Sequence, residues 1–441
     1  MGGYPLPAAL GVGPAVATVA ALPSVAPEGQ LRWVLGRKRF YQRLGGDWLS
    51  RPETSDPTWA SASLSISSSG DDDAPGTADA PIATLEEWGA RTSKLSIGQA
   101  TLTVLDDLAE EDATIGGACD GILDRWVYLR ADPAVVLTTT IAAITGWTLN
   151  ATTNTVGQMT GTASFAGYAG TSGGPGALWR IVGGARDGAR GVFGSVESGS
   201  AVVFVPPISA LYAVDTVTPQ IGDTIEVLDP VRLCSRLRVA PGTRLFVDGL
   251  QIGDGGAHDV QAGAGAAMLA SGCQFTGGVD ALTGSLVEMT ACGLDSSARA
   301  EGDGEGGGGH LSVRGCHARA ILARPGGVLS LSDVVASYQI SCEGWTWSRI
   351  VSGFVFFNNP TSAAALSLGK RATFDALGAL NGRGVTASAA RLIAQAGALF
   401  TYGAKPLIAG SGAEWSANAT TGNFSALPVA GGAEGAFLVA R

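Results

Sequence analysis

Ser172 lies in Gly170-Thr-Ser-Gly-Gly174, a G-x-S-x-G pentapeptide. Such a serine is a nucleophile where a strand runs into it and a helix runs out. Pro175 and Gly176 follow here, so no helix is expected to start. The histidines, His258, His310 and His317, all come after Ser172, whereas a chymotrypsin-like order places His and Asp first. The pentapeptide therefore reads as a glycine-rich turn.

Carboxylates are the next candidates: Asp248, Asp259, Asp280, Glu288, Glu301, Asp303 and Glu305. Cleaving a glycosidic bond takes two carboxyls about 5–9.5 Å apart. Glu301-Gly-Asp-Gly-Glu-Gly-Gly-Gly-Gly309 has acidic groups but neither the D-x-D-x-D spacing nor the distal bidentate Glu of a calcium loop. It reads as an extended loop. Cys119, Cys234, Cys273, Cys292, Cys316 and Cys342 form no C-x-x-C pair, so the zinc spacing is missing. Cys316 and His317 are adjacent and would point to opposite faces of a strand, which disfavours a shared metal. No catalytic, cofactor-binding or metal-ligating residue is assigned from these patterns.

The elements that must position these side chains are repeats. Leu245-Phe-Val-Asp-Gly-Leu-Gln-Ile252, Met268-Leu-Ala-Ser-Gly-Cys-Gln-Phe275, Val287-Glu-Met-Thr-Ala-Cys-Gly-Leu294, Leu311-Ser-Val-Arg-Gly-Cys-His-Ala318 and Leu329-Ser-Leu-Ser-Asp-Val-Val-Ala336 can be written under one another. Their starts are 23, 19, 24 and 18 residues apart. Apolar residues recur every second position, the period of a strand. A turn-prone column follows (Gly249, Gly272, Ala291, Gly315, Asp333), then an apolar one (Leu250, Cys273, Cys292, Cys316, Val334). Gly242, Gly265, Gly284, Gly309 and Gly327 stand just ahead of the segments. Self-similarity near 20 residues marks a solenoid, and a lone strand of this kind needs a stacked copy to bury its apolar face. The expected fold is all-β: a parallel β-helix, expected right-handed, with glycine at its corners. Its cysteine column should face inward, reduced, since stacked side chains pointing the same way suit a disulfide poorly. In this frame Asp248 and Glu288 fall in different columns two coils apart, and the remaining carboxylates, with Asp333, read as solvated turn groups.

Composition agrees. Gly is 65 of 441 residues and charged residues are only 15%, against about 25% in an ordinary domain. The net charge of −10 opposes nucleic-acid binding. Residues 1–27 lack side-chain charge, but Pro5, Pro7, Pro14, Pro23 and Pro27 interrupt them and no basic segment leads, so neither a signal peptide nor a membrane span is expected.

The organisation expected along the chain is an N-terminal arm and β-hairpin over residues 1–50, then a flexible Ser/Asp/Gly/Pro linker over 51–80. A capping helix and the first β-helix coils should occupy 81–230, regular coils 231–425 and a tail 426–441. Thr84, with Glu87 three residues on, predicts the N-cap of that helix. The aromatic run with Trp345, Trp347, Phe354, Phe356 and Phe357 could be a sugar platform or a protomer interface, and the interface is the preferred reading.

Val16-Ala-Thr-Val-Ala-Ala-Leu-Pro-Ser24 leads into Gly29-Gln-Leu-Arg-Trp-Val-Leu-Gly-Arg-Lys-Arg-Phe-Tyr-Gln-Arg-Leu-Gly-Gly-Asp-Trp48. This stretch resembles a short module of tail fibres and other tail-associated proteins of bacteriophages. Its basic turn Arg37-Lys38-Arg39 departs from the acidic or neutral turn of that module. Gly222-Asp-Thr-Ile-Glu-Val-Leu-Asp-Pro230 is similar to the opening strands of β-helical phage proteins. The resemblance implies a virion structural protein of a phage or phage-tail-like particle, a tail fibre or tailspike. Such a protein would dock through its N-terminal module on other tail proteins and act in assembly and host attachment. A homotrimer and a host surface glycan are implied partners, with no cofactor. The alternatives are a tailspike depolymerase working with paired carboxylates, and a secreted adhesin.

Overall fold

The structure is a computed structural model. It describes residues 14–27, 30–35, 39–44, 47–51, 61–92, 99–108, 112–116, 126–145, 158–170, 174–198, 201–204, 219–302, 307–344, 346–357, 366–368, 372–376, 379–382, 385–387, 391–394, 400–402, 408–409, 414–417 and 437–440. Cys119, Ser172, Asp303, Glu305 and Trp345 lie outside these residues.

The body is a parallel β-solenoid whose strands join into one 27-stranded sheet. Each regular coil contributes three short strands, so the rod has three faces. On the first, Arg244–Asp248 pairs in parallel with Ala267–Ser271, then Leu286–Thr290, His310–Arg314 and the start of Val328–Cys342. The second begins with Val231–Cys234 and Leu250–Ile252. The third stacks Arg236–Val239, Val260–Ala262 and Val279–Ala281. Alternation puts one set of side chains inside, and the register piles them up. Leu245, Met268, Val287, Leu311 and Leu329 form one buried column, and Val247, Ala270, Met289, Val313 and Leu331 another. On the third face Leu237, Val260, Val279, Ala298, Ile321 and Ile340 do the same.

The cysteine column is present. Cys273, Cys292 and Cys316 precede register partners Gln274, Gly293 and His317 on consecutive coils, and all three are buried with free thiols. Each sulfur lies 3.1–3.3 Å from the carbonyl two residues before it and 3.5–3.7 Å from one on the preceding coil. Burial raises the Cys273 and Cys292 thiols well above their ordinary range, and pushes Cys342 up to about 12.

The turn-prone column is left-handed throughout: φ is 70° at Gly249, 55° at Gly272, 52° at Ala291, 55° at Gly315 and 53° at Asp333. These residues bend the chain from the first face to the second. Their amides continue the ladder around the corner: Gly249 N–H donates to Ser271 O, Gly272 to Thr290 O, Ala291 to Arg314 O and Gly315 to Ser332 O, at 3.0–3.2 Å. Ala291 and Asp333 hold a conformation that costs an L-residue about 1–2 kcal/mol; the stacked hydrogen bonds offset it.

Residues 134–229 correct the expected layout. The strands described there, from Ala134–Thr145 to Thr224–Asp229, are not coils but form a closed antiparallel barrel emerging between the first-face strand Trp126–Ala131 and the second-face strand Val231–Cys234. Its core, with Ile141, Phe165, Trp179, Ile181, Phe193, Ile225 and Val227, is separate from that of the solenoid. The long strand Ala134–Thr145 pairs antiparallel with Thr224–Asp229. Twelve residues without a corner glycine are too long for one side of a coil. Period-two alternation, common to both architectures, does not reveal pairing direction.

The expected linker is corrected too. Ser61–Ile66 is a first-face strand paired with Gln99–Val104, its Leu64 and Ile66 buried among outward serines. The turn after it is tied down by Ser67 Oγ and Ser68 N, which donate to Asp106 at 2.6 and 2.7 Å. The helix Leu85–Thr92 follows as predicted: Glu87 N–H donates to Thr84 Oγ1 at 3.1 Å, and Asp72, not Glu87, accepts the Thr84 N–H at 2.9 Å. Leu85 and Trp88 are buried in the solenoid core beside Ile66 and Leu102.

Near the start, Leu31–Val34, Arg39–Leu44 and Asp47–Arg51 form a three-stranded antiparallel sheet. At the far end Phe437–Ala440 pairs in parallel with Glu414–Ala417, so the tail adds to the first face. No helix among the described residues is long and apolar enough to cross a membrane.

Candidate functional site

The outer side of the first face carries polar and aromatic residues from four consecutive coils, of which Trp347 is exposed, Glu288, His310, Arg314 and Arg349 are partly buried, and Ser312 and Ser330 are buried. Register places Glu288, Ser312, Ser330 and Arg349 in one outward column, and Leu286, His310, Val328 and Trp347 in the next. Arg314 sits one step along the strand and lies 3.6 Å from Glu288. His310 Nε2 is 3.0 Å from Ser330 Oγ. The Arg349 guanidinium stands over the Trp347 indole at 5.5 Å, and Trp347 is 52% exposed. Burial lowers the His310 pKa, Arg349 lowers it further, and Glu288 acts the other way. Such a face can stack a sugar ring against the indole and hydrogen-bond its hydroxyls from both donors and acceptors. Trp347 belongs to the aromatic run singled out in the sequence; the side chains of Phe354, Phe356 and Phe357 lie outside the described residues.

The carboxylates do not assemble into a cleaving pair. Asp248 and Glu288 both face outward from the first face, two coils and two residues apart, which at strand spacings is about 12 Å. Arg190 from the barrel pairs with Asp248, and Arg314 lies beside Glu288. Asp259 is buried, and its Oδ2 accepts the N–H groups of Asp254, Gly255 and Gly256 at 2.9, 3.2 and 3.0 Å. Asp280 is also buried, with His258 Nδ1 at 2.5 Å and Arg299 Nε at 3.8 Å. These two aspartates are therefore structural, not the solvated turn groups expected. Glu301 ties its coil by backbone bonds, its N–H donating to Ala281 O and its carbonyl accepting from Gly309. Among the described residues no cluster of three His, Cys, Asp or Glu could hold a metal ion.

His317 does point away from Cys316, but it is not solvent-facing. The barrel covers it: Nδ1 is 3.5 Å from Phe193 O, and Nε2 is 2.6 Å from Ser337 Oγ. Of the residues flanking Ser172, Gly170 and Gly174 lie close together: a Cβ on Gly170 would stand 1.8 Å from Gly174 O. Gly170 N–H donates to Gly194 O, and the strand Leu178–Val182, not a helix, comes next.

Sequence reasoning missed Asp295. It sits where the chain turns from the second face to the third, beside Gln274 Nε2 at 3.3 Å. Burial raises its pKa, with Gln274 and Arg319 pulling the other way. Arg319 occupies the equivalent corner one coil on, and its guanidinium is 5.9 Å from the half-exposed Tyr338 ring. Extending the repeat alignment one residue past Leu294 and Ala318 would have brought Asp295 and Arg319 together.

No family model matches the chain, and no curated protein matches it. Among solved structures it is similar to a glycoside hydrolase at 9% identity, covering 80% of this chain and 95% of that one, with a TM-score of 0.31. A tailspike, Gp54 of Acinetobacter baumannii bacteriophage AP22 in complex with A. baumannii capsular saccharide, is similar at 9% identity, covering 72% of this chain and 65% of that one, with a TM-score of 0.21. The Pseudomonas phage phi297 tailspike gp61 is similar at 9% identity over 79% of this chain and 72% of that one, TM-score 0.21.

Proposed function

We propose that the chain is an architectural and attachment component of a bacteriophage or phage-tail-like particle, with the solenoid as a rigid rod that presents a glycan-binding face. The observation that carries this reading is the outward first face, where half-exposed Trp347 and partly buried Arg349 stand in register beside Glu288, His310 and Arg314. The phage-module resemblance of residues 16–48 supports the particle and docking on other tail proteins. Many weak contacts, multiplied by copy number, would supply the attachment. Two measurements test it. Mass spectrometry of purified particles should find the chain. A host-glycan binding assay should lose signal with Trp347→Ala; unchanged binding sinks the face.

A second reading, cleavage of surface polysaccharide, is favoured by Asp295 alone, a carboxyl that burial keeps protonated to higher pH, as a general acid requires. A reducing-sugar assay on host polysaccharide separates the two: release of ends that Asp295→Asn abolishes would establish the enzyme.

A further inference from the structure

Residues 253–259 cross from the second face to the third as a loop that is held in shape from several sides. Asp259 accepts three of its amides, as described above. On the next coil Gly277 and Gly278 admit it, because a Cβ on them would lie 1.7 Å from Asp259 Oδ2 and 1.9 Å from Ala257 O. His258 Nδ1 lies 2.5 Å from Asp280 Oδ2, while Arg299 donates to Ala257 O at 2.8 Å and its Nη1 lies 3.1 and 3.3 Å from the two His258 ring nitrogens.

Between this loop and the third face is a cleft of about 360 Å3, whose polar walls are Arg236, Arg238, His258, Asp259 and Gln261. Arg236 reaches Asp112 only at 3.9 Å, and both side chains are more than half exposed. Arg238 lies in register between neutral Thr114 and Gln261, and no ion pair reaches it among the described residues. On a chain of net charge −10, two guanidiniums with weak or no acidic partners converge on one cleft. A guanidinium fork matches a carboxylate in two parallel hydrogen bonds. Gln261 and His258 offer further hydrogen bonds beside it, and the cleft is larger than a bare oxyanion needs.

We propose that this cleft binds a hexuronate unit of an acidic polysaccharide, its carboxylate on Arg238 and Arg236 and its hydroxyls toward Gln261 and His258. The inference deepens the attachment reading and rests on it for the source of the glycan.

The full chain, titrated calorimetrically with a galacturonate oligomer, should bind it. Arg238→Gln, at an exposed position, should weaken binding by about tenfold or more with the melting curve unchanged. Gln261→Glu should do the same by placing a carboxylate beside Arg238. A galactose oligomer of equal length should not compete. Absence of galacturonate binding overturns the proposal, and so does unchanged affinity in both variants. Equal binding of the galactose oligomer overturns it as well. Displacement by inorganic phosphate at matching affinity would mark a bare oxyanion site and overturn the saccharide assignment. Failure here leaves the particle reading standing, and absence of the chain from particles leaves the affinity of the cleft standing.

Discussion

In the solenoid, each strand of residues 231–342 finds its partner one coil away and parallel. In the barrel of residues 134–229, strands pair antiparallel with neighbours that differ in length and sequence, and the sheet closes on itself. The solenoid is stabilised by repetition: one inward residue type stacks on its like, and one corner conformation recurs. The barrel is stabilised by closure around a few large side chains, with the Phe193 ring lying between Phe165 at 5.0 Å and Trp179 at 6.1 Å. Two cores in one chain should therefore respond separately to damage.

The largest effect tests that separation. Leu311→Asp puts a charge into the stacked column, costs several kcal/mol and should remove the main calorimetric transition. Trp179→Ala, at a fully buried barrel position, should cost about 3–5 kcal/mol and lower only a second transition. A single transition moved by both would break the comparison. Next comes the junction. Gly272 is left-handed, and a Cβ there would lie 2.9 Å from Arg190 Nη1 of the barrel. Gly272→Val should cost about 1–3 kcal/mol and, by displacing Arg190 from Asp248, raise hydrogen exchange along both partners.

Acid titration should separate the regions by sign. In the barrel Arg186 hydrogen-bonds Asp223 through both Nε and Nη2 and holds its pKa below the ordinary value. That stability is present above the unfolded pKa of about 3.9 and is lost as pH falls through the folded one. Asp223→Asn should therefore lower the barrel transition at neutral pH and do little in strong acid. Asp295 in the solenoid has the opposite shift. Its contribution is full below the unfolded value and lost as pH rises through the folded one, so Asp295→Asn should raise the solenoid transition at neutral pH. The smallest effect is at Ala291, φ 52°. Ala291→Gly relieves the left-handed strain of about 1–2 kcal/mol against a backbone entropy cost of about 0.5–1 kcal/mol, so the melting temperature should rise slightly.

The same contrast explains what could be read from residues alone. The columns from Leu245 to Ala336 were legible down to the individual corner residue, because a coil that repeats writes its period into the sequence. The Thr84 cap was legible because its signal is local. The barrel was not. Its alternation matches that of a coil, and only the uninterrupted length of Ala134–Thr145 hinted at another closure. Ser61–Ile66 was hidden by its serines, although Leu64 and Ile66 keep the inward period. Of the candidate site, the aromatic Trp347 was visible, but its neighbours Glu288 and His310 come from other coils and are joined to it only by register. The loop that turns Asp259 and His258 into cleft walls depends on close packing against Gly277 and Gly278, which no local pattern announces.

The amide ladder that runs through the left-handed corners has a mechanical consequence. Because bonds between coils continue where the chain bends, a coil has no loose hinge at that edge from which peeling could begin. Tension or torque applied at one end is shared over the two faces and the corner between them at once. A shaft joined this way passes a push or a twist along its length before any single turn gives way.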